Sequence, residues 1–466
     1  MRQFIKYILT ALTVMLVSNS WSQEYKLPAY QKFVLKNGLT VYLMEQHDVP
    51  MINVSAIVPA GAINDGDKAG LASFTAVALK HGTKNYPKSR LDSELDYVAA
   101  SVETYGTKES ARLVAGFAAK DRDLVMPMIY ELLTSPTFDS SEFSKEKQRI
   151  LVRLSQAKES PRSVIAGNFD KFLYGEHVYG NIVGGTISSV TAMSVADVQS
   201  FFKKNYHPNG SAISIVGDFD SKQMKNYITG LFSKWEKSSA PADNLAAKEL
   251  VKPTTNRVLL INKDDAKETT FMIGAPGISR NNPDFVSIDV INTLFGGRFT
   301  SMLNDELRVN SGLTYGASSR FNALRNGGSF LISTFTAANT TEAAIDKSLE
   351  VLKKLTNDGI DEKALQSAKN YVKGQFPPDY ETSGQLAALL TDMYWYGFDE
   401  SLINNFQKNV DGLTLEKAKQ IISTYFPKDK LQFVLVGKSG DIKKIAEKYG
   451  PVTEVQITED PPKKAF

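Results

Sequence analysis

The chain has 466 residues, 42% of them hydrophobic, which is the make-up of a globular protein but too long for one ordinary core, so about two to four folding units are expected. A formal charge of +3 excludes the basic footprint of a nucleic-acid binder and a polybasic membrane patch. With no cysteine, disulfides and thiolate chemistry are excluded too, and packing alone must hold the fold.

Arg2 and Lys6 precede an apolar run, Tyr7 to Val17, and Ser20-Trp21-Ser22 supplies small residues ahead of a cleavage point before Gln23. Residues 1–22 therefore read as a secretory signal. The apolar run is too short to span a bilayer comfortably. The expected product is an exported chain, periplasmic in a Gram-negative cell, with no stable membrane span after cleavage; a retained N-terminal anchor is the alternative. Cleavage removes Arg2, Lys6 and no acid, which lowers the charge from +3 to +1.

Beyond that segment, "MINVSAIVPAGAIND" (51–65) alternates apolar and polar residues as a strand does. It leads into "GLASFTAVALKHGT" (70–83), a small-residue helix without an acid that closes on Gly82. "FDSSEFSKEKQRILVRLSQAKESP" (138–161) is an amphipathic helix capped by Asp139 with a proline exit. "MSVADVQSFFKKNYHPNGSAISIVGDF" (193–219) is a helix, a proline break and a strand ending at Val216-Gly217.

The same order then recurs. "TTFMIGAPGISRNNPD" (269–284) precedes a helix ending at Gly296-Gly297, and "IDEKALQSAKNYVKGQFPPDYET" (360–382) opens on Asp361. "LTLEKAKQIISTYFPKDKLQFVLVGKS" (413–439) ends at Val436-Gly437, 220 residues after Val216-Gly217. Two homologous units follow, 23–240 and 257–466, with the linker 241–256 inside a Ser-, Ala-, Pro- and Lys-rich stretch. Strands early and late in each unit with helices between them predict an α+β fold, each unit a mainly antiparallel sheet packed with helices.

Chemical motifs are sparse. His47, His81, His177 and His207 stand too far apart for a local metal pair and read as surface or turn residues. His81 falls in a last helical turn, where the helix dipole favours a cation. No nucleophile elbow, Walker loop or dinucleotide fingerprint occurs, and "VGGT" (183–186) and "NGGS" (326–329) are turn signals. The aromatic residues of "TDMYWYGF" (391–398) lack interleaved basic residues and read as core or interface.

"LKNGLTVYLMEQHDVPMINVSAIVPAGAINDGDKAGLASF" and "GTISSVTAMSVADVQSFFKKNYHPNGSAISIVGDFD" together resemble the pitrilysin, insulinase and mitochondrial-processing-peptidase family of zinc peptidases over roughly residues 27 to 450. The resemblance implies a clam-shell half built of the two units. In active members the early helix carries His-x-x-Glu-His: two ligands one helical turn apart and a Glu that activates the metal-bound water. Aligned through "GLA" and "GT", those positions hold Ser73, Ala76 and Val77. The third ligand, a Glu on a later helix, falls on Arg153, whose fixed charge repels a dication. The substrate-binding edge strand has drifted to Val102-Glu103-Thr104-Tyr105-Gly106.

By contrast, "LNDELRVNSGLTYGASSRF" (303–321) is similar to the family's C-terminal signature, in which an Arg and a Tyr project toward the zinc-bearing site; here they are Arg308 and Tyr315. A guanidinium and a phenol can hydrogen-bond a substrate carbonyl or the developing oxyanion. Ser311-Gly312 is expected to end the helix and place Tyr315 on the next strand. The competing reading pairs Arg308 with Asp305 or Glu306 and half-buries Tyr315.

The resemblance implies a non-catalytic subunit, inactive alone and without metal or other cofactor of its own. It would lend Arg308 and Tyr315 in trans to a homologous partner bearing zinc and His-x-x-Glu-His, acting on an extended peptide. An inactive scaffold or peptide-binding homologue is the alternative, and a stand-alone enzyme using other residues is the third reading.

Overall fold

The computed structural model describes residues 25–239, 246, 248–250 and 252–461. The expected signal segment 1–22 lies outside the described residues, as do residues 241–245, 247 and 251 of the expected linker.

Two six-stranded sheets organise the chain. The first runs β1 (Gln31–Val34), β2 (Thr40–Glu45), β6 (Ala212–Gly217), β3 (Met51–Val58), β5 (Ala111–Ala118) and β4 (Ser101–Gly106). The second runs β12 (Val452–Gln456), β7 (Arg257–Asn262), β11 (Gln432–Gly437), β8 (Glu268–Pro276), β10 (Gly328–Ala337) and β9 (Ala317–Ala323). Five strands of each sheet correspond in order and direction, and only β2–β6 and β7–β11 among those pairings are parallel. The sixth strands differ, β1 joining antiparallel and β12 parallel. Most pairings are thus antiparallel, as expected.

The helices labelled here are α1 (Leu71–Ala78), α2 (Ser140–Ala157), α3 (Pro161–Tyr174), α4 (Val195–Asn205), α5 (Phe285–Asn292), α6 (Glu362–Gln375), α7 (Ser383–Tyr396) and α8 (Leu415–Tyr425). Asp139 caps α2 by accepting from the Ser141 and Glu142 N–H groups at 2.9 and 3.0 Å, and Asp361 caps α6 through Ala364 N at 2.7 Å. α1 packs on α4 in the first half as α5 packs on α8 in the second.

All six residues of β6, and all six of β11, are buried, which requires cover on both sheet faces. Each half takes part of that cover from the other. α3 lies on β8 and β11 of the second sheet, with Ile165, Phe169 and Phe172 against Leu259, Met272 and Val434. α7 lies on β3 and β6 of the first, where Ser214 Oγ donates to Ala387 O at 2.6 Å and Ser55 Oγ meets Thr391 Oγ1 at 2.9 Å. The two helices are thus exchanged, and neither sheet is fully covered by its own half.

A buried carboxylate closes this junction. Glu109, between β4 and β5, accepts from the Tyr179 hydroxyl, from Arg325 N at 3.1 Å and from Trp395 Nε1 at 3.4 Å. Trp395, from the "TDMYWYGF" run, is buried at the interface. Tyr25 donates to Tyr380 O at 3.0 Å and Asp460 accepts from Ser188 N at 2.8 Å, so residues near both ends of the described chain also reach the opposite half.

Candidate functional site

α1 is set at its N-terminus by Asp65, whose buried carboxylate accepts from Gly70 N at 2.8 Å and Ala72 N at 2.7 Å. Burial pushes this carboxyl up to about 7, against the opposing pull of those N–H groups and of Lys108. The side chains at the zinc positions cannot hold a metal. Ala76 is 0% exposed, Val77 is apolar, and Ser73 offers one hydroxyl. Arg153 is exposed on α2. Among the described residues there is no group of three His, Cys, Asp or Glu suited to a metal ion.

His81 corrects an expectation. It closes the short 3-10 turn after α1, yet it is buried, and desolvation lowers its pKa despite Glu142 and Glu146 nearby. It is therefore a buried core residue whose Nδ1 has no hydrogen-bond partner among the described residues, and burial disfavours the cation that a helix end would favour. His47 is exposed, with Nδ1 2.6 Å from Asp218 and Nε2 2.9 Å from Glu45. His177 and His207 lie in loops.

The drifted segment 101–106 forms β4, which among the described residues pairs with β5 alone and leaves its other edge open. Val102 and Thr104 face inward, while Ser101, Glu103 and Tyr105 are exposed. Lys80, just past α1, reaches Glu103 at 3.1 Å, so an ion pair bridges the helix and the edge strand.

In the second half, "LNDELRVNSGLTYG" folds into a wide turn of π-helix, Asp305–Asn310. Leu307 anchors it in the core, and Ser311 N, Gly312 N and Leu313 N close it on Glu306 O, Arg308 O and Leu307 O. The following loop is pinned to β10 by side-chain hydroxyls. Thr336 Oγ1 donates to Leu313 O at 2.7 Å and Thr334 Oγ1 to Gly316 O at 2.9 Å, while Asn304 Oδ1 accepts from Ala317 N at 2.9 Å.

These bonds delay the strand, so Tyr315 sits in the loop before β9 rather than on the strand as expected. Its ring is 83% exposed and lies near-parallel to Phe335, centroids 6.4 Å apart. Arg308 stacks its guanidinium 4.3 Å over the exposed ring of Phe299. Among the described residues, no ion pair joins Arg308 to Asp305 or Glu306, and no hydrogen bond joins it to Tyr315. Both side chains of the signature are thus held by aromatic rings with their polar ends unspent.

Residues 40–186 match the family model described as Insulinase (Peptidase family M16), and residues 192–372 match that of the Peptidase M16 inactive domain. The chain belongs to the M16 peptidase family. Its similarity to other M16 proteins extends over most of its length. An uncharacterized zinc protease YmxG of Bacillus subtilis is 20% identical over 88% of this chain and 99% of its own. A non-peptidase homolog YmxG of Helicobacter pylori is 24% identical over 84% and 90%. A crystal structure of a peptidase M16 inactive domain from Pseudomonas fluorescens superposes with a TM-score of 0.83 at 23% identity, covering 88% of this chain and 98% of that one. A protease from Helicobacter pylori gives 0.82 at 21%, covering 88% and 100%. The M16 fold, with its two sheet-and-helix units, is therefore shared.

Sequence reasoning overlooked two features of this M16 chain. Glu109 hides in "TKESARL" as an ordinary loop acid, and only its three donors from distant segments reveal it. Arg162 follows the proline exit in "ESPRS", but nothing local says that its helix crosses to the other sheet.

Proposed function

We propose that this chain is the non-catalytic subunit of a two-chain zinc peptidase. The observation that carries the reading is the contrast within one molecule. Three zinc-helix positions hold Ser73, Ala76 and Val77, with Arg153 at the third-ligand position, while the C-terminal signature keeps a half-buried Arg308 and an exposed Tyr315. The homologous partner supplies the metal, its ligands and the general base. Arg308 and Tyr315 act in trans, hydrogen-bonding the peptide carbonyl and the oxyanion that develops on it. The substrate is an extended peptide, and the open edge of β4 suits strand addition. The chain works outside the cytoplasm, in the periplasm if its cell is Gram-negative.

The second reading, an inactive peptide-binding scaffold, draws on the same open edge together with that of β9, since strand addition needs no catalysis. Purification of the tagged chain from its own host separates the two. The first reading expects a stable companion bearing His-x-x-Glu-His. Recovery of the chain only as a homodimer that binds peptides without cleaving them contradicts it.

A further inference from the structure

We infer that Arg162 is a positioning residue for Tyr315, through which the first half of the chain sets the signature of the second. The inference rests on the proposed role of Tyr315 and adds a residue to it. α3 begins at Pro161, fixed at the first helical position, so Arg162 projects from the first turn of the exchanged helix. Because α3 packs across β8 and β11, that turn arrives beside β10. There the Arg162 guanidinium stands 3.6 Å over the Phe335 ring, the tightest of the cation–ring contacts among the described residues. Its charge is balanced by Glu268 at 3.9 Å, at the start of β8 and paired in register with Ala337 of β10.

Phe335 is the ring on which Tyr315 rests, at 24° between planes. Tyr315 has no hydrogen bond among the described residues and is 83% exposed, so within them this ring is its one side-chain support. A ring gripped by Arg162 presents a fixed surface to the phenol, whereas a released Phe335 can change rotamer and let Tyr315 swing. Arg162 itself is 58% exposed and buries little, so its removal acts on this stack more than on the core.

The test compares Arg162→Ala, Arg162→Lys and Tyr315→Phe in the full chain labelled with 13Cζ-tyrosine, the last variant assigning the Tyr315 resonance. Arg162→Ala is expected to shift that resonance while the other tyrosines stay in place, and Arg162→Lys, which keeps a cation over the ring, to restore it. An unmoved Tyr315 signal in Arg162→Ala overturns the inference. With the zinc-bearing partner, Arg162→Ala should lower kcat about two- to fivefold at unchanged KM, and should add nothing in the Tyr315→Phe background. If Tyr315→Phe slows hydrolysis and Arg162→Ala does not, the inference also fails. If Tyr315→Phe leaves the rate unchanged, it is the proposed function that fails, and the resonance still decides the role of Arg162.

Discussion

In each half, a helix is pressed against the sheet's last strand so closely that one partner must be glycine, but the glycine sits on opposite partners. In the first half it is on the strand: a Cβ at Gly106 of β4 would stand 2.7 Å from Ser73 Cα of α1. In the second it is on the helical side: a Cβ at Gly296 would stand 2.6 Å from Ser319 N of β9. The contact is a property of the scaffold, and each half satisfies it separately. This explains how α1 persists as a helix although Ser73, Ala76 and Val77 can bind no metal: its packing against β4 and α4 does not depend on ligands. The halves differ in chemistry because only the packing is common to them.

The comparison breaks most severely at the junction both halves share. Glu109→Ala leaves the Tyr179 hydroxyl, Arg325 N and Trp395 Nε1 without their acceptor, and should cost about 3 kcal/mol in urea unfolding. A loss below about 1 kcal/mol would mean that the junction does not depend on this carboxylate. The glycine symmetry is the next test. Gly106→Ala and Gly296→Ala should each destabilise by about 1–3 kcal/mol, since the new methyl meets backbone at Ser73 and both the hydroxyl and the backbone N at Ser319. A tolerated alanine at either position would show that the approach in that half is looser than in the other.

Much of this architecture was legible in the sequence because its signals are local. Asp139 and Asp361 announce their helices, the runs ending at Val216-Gly217 and Val436-Gly437 announce strands, though alternating ones rather than the fully buried central strands found, and the shared offset announces the duplication. The exchange of α3 and α7 was not legible. An amphipathic helix has the same pattern whichever sheet it covers, so Phe169 and Leu390 do not reveal on which half they lie. Tyr315 was displaced from the expected strand because Thr334 and Thr336, far along the chain, pin the loop before it. His81 was misjudged because its helical position said nothing of the burial that disfavours its charged form.

The most direct measurement is the rate of peptide hydrolysis by this chain reconstituted with its zinc-bearing companion, wild type against Tyr315→Phe. Loss of one hydrogen-bond donor to the oxyanion should slow turnover on the order of 100-fold, with the two chains still assembling as before. An unchanged rate in an intact complex would contradict the claim that this chain supplies chemistry in trans.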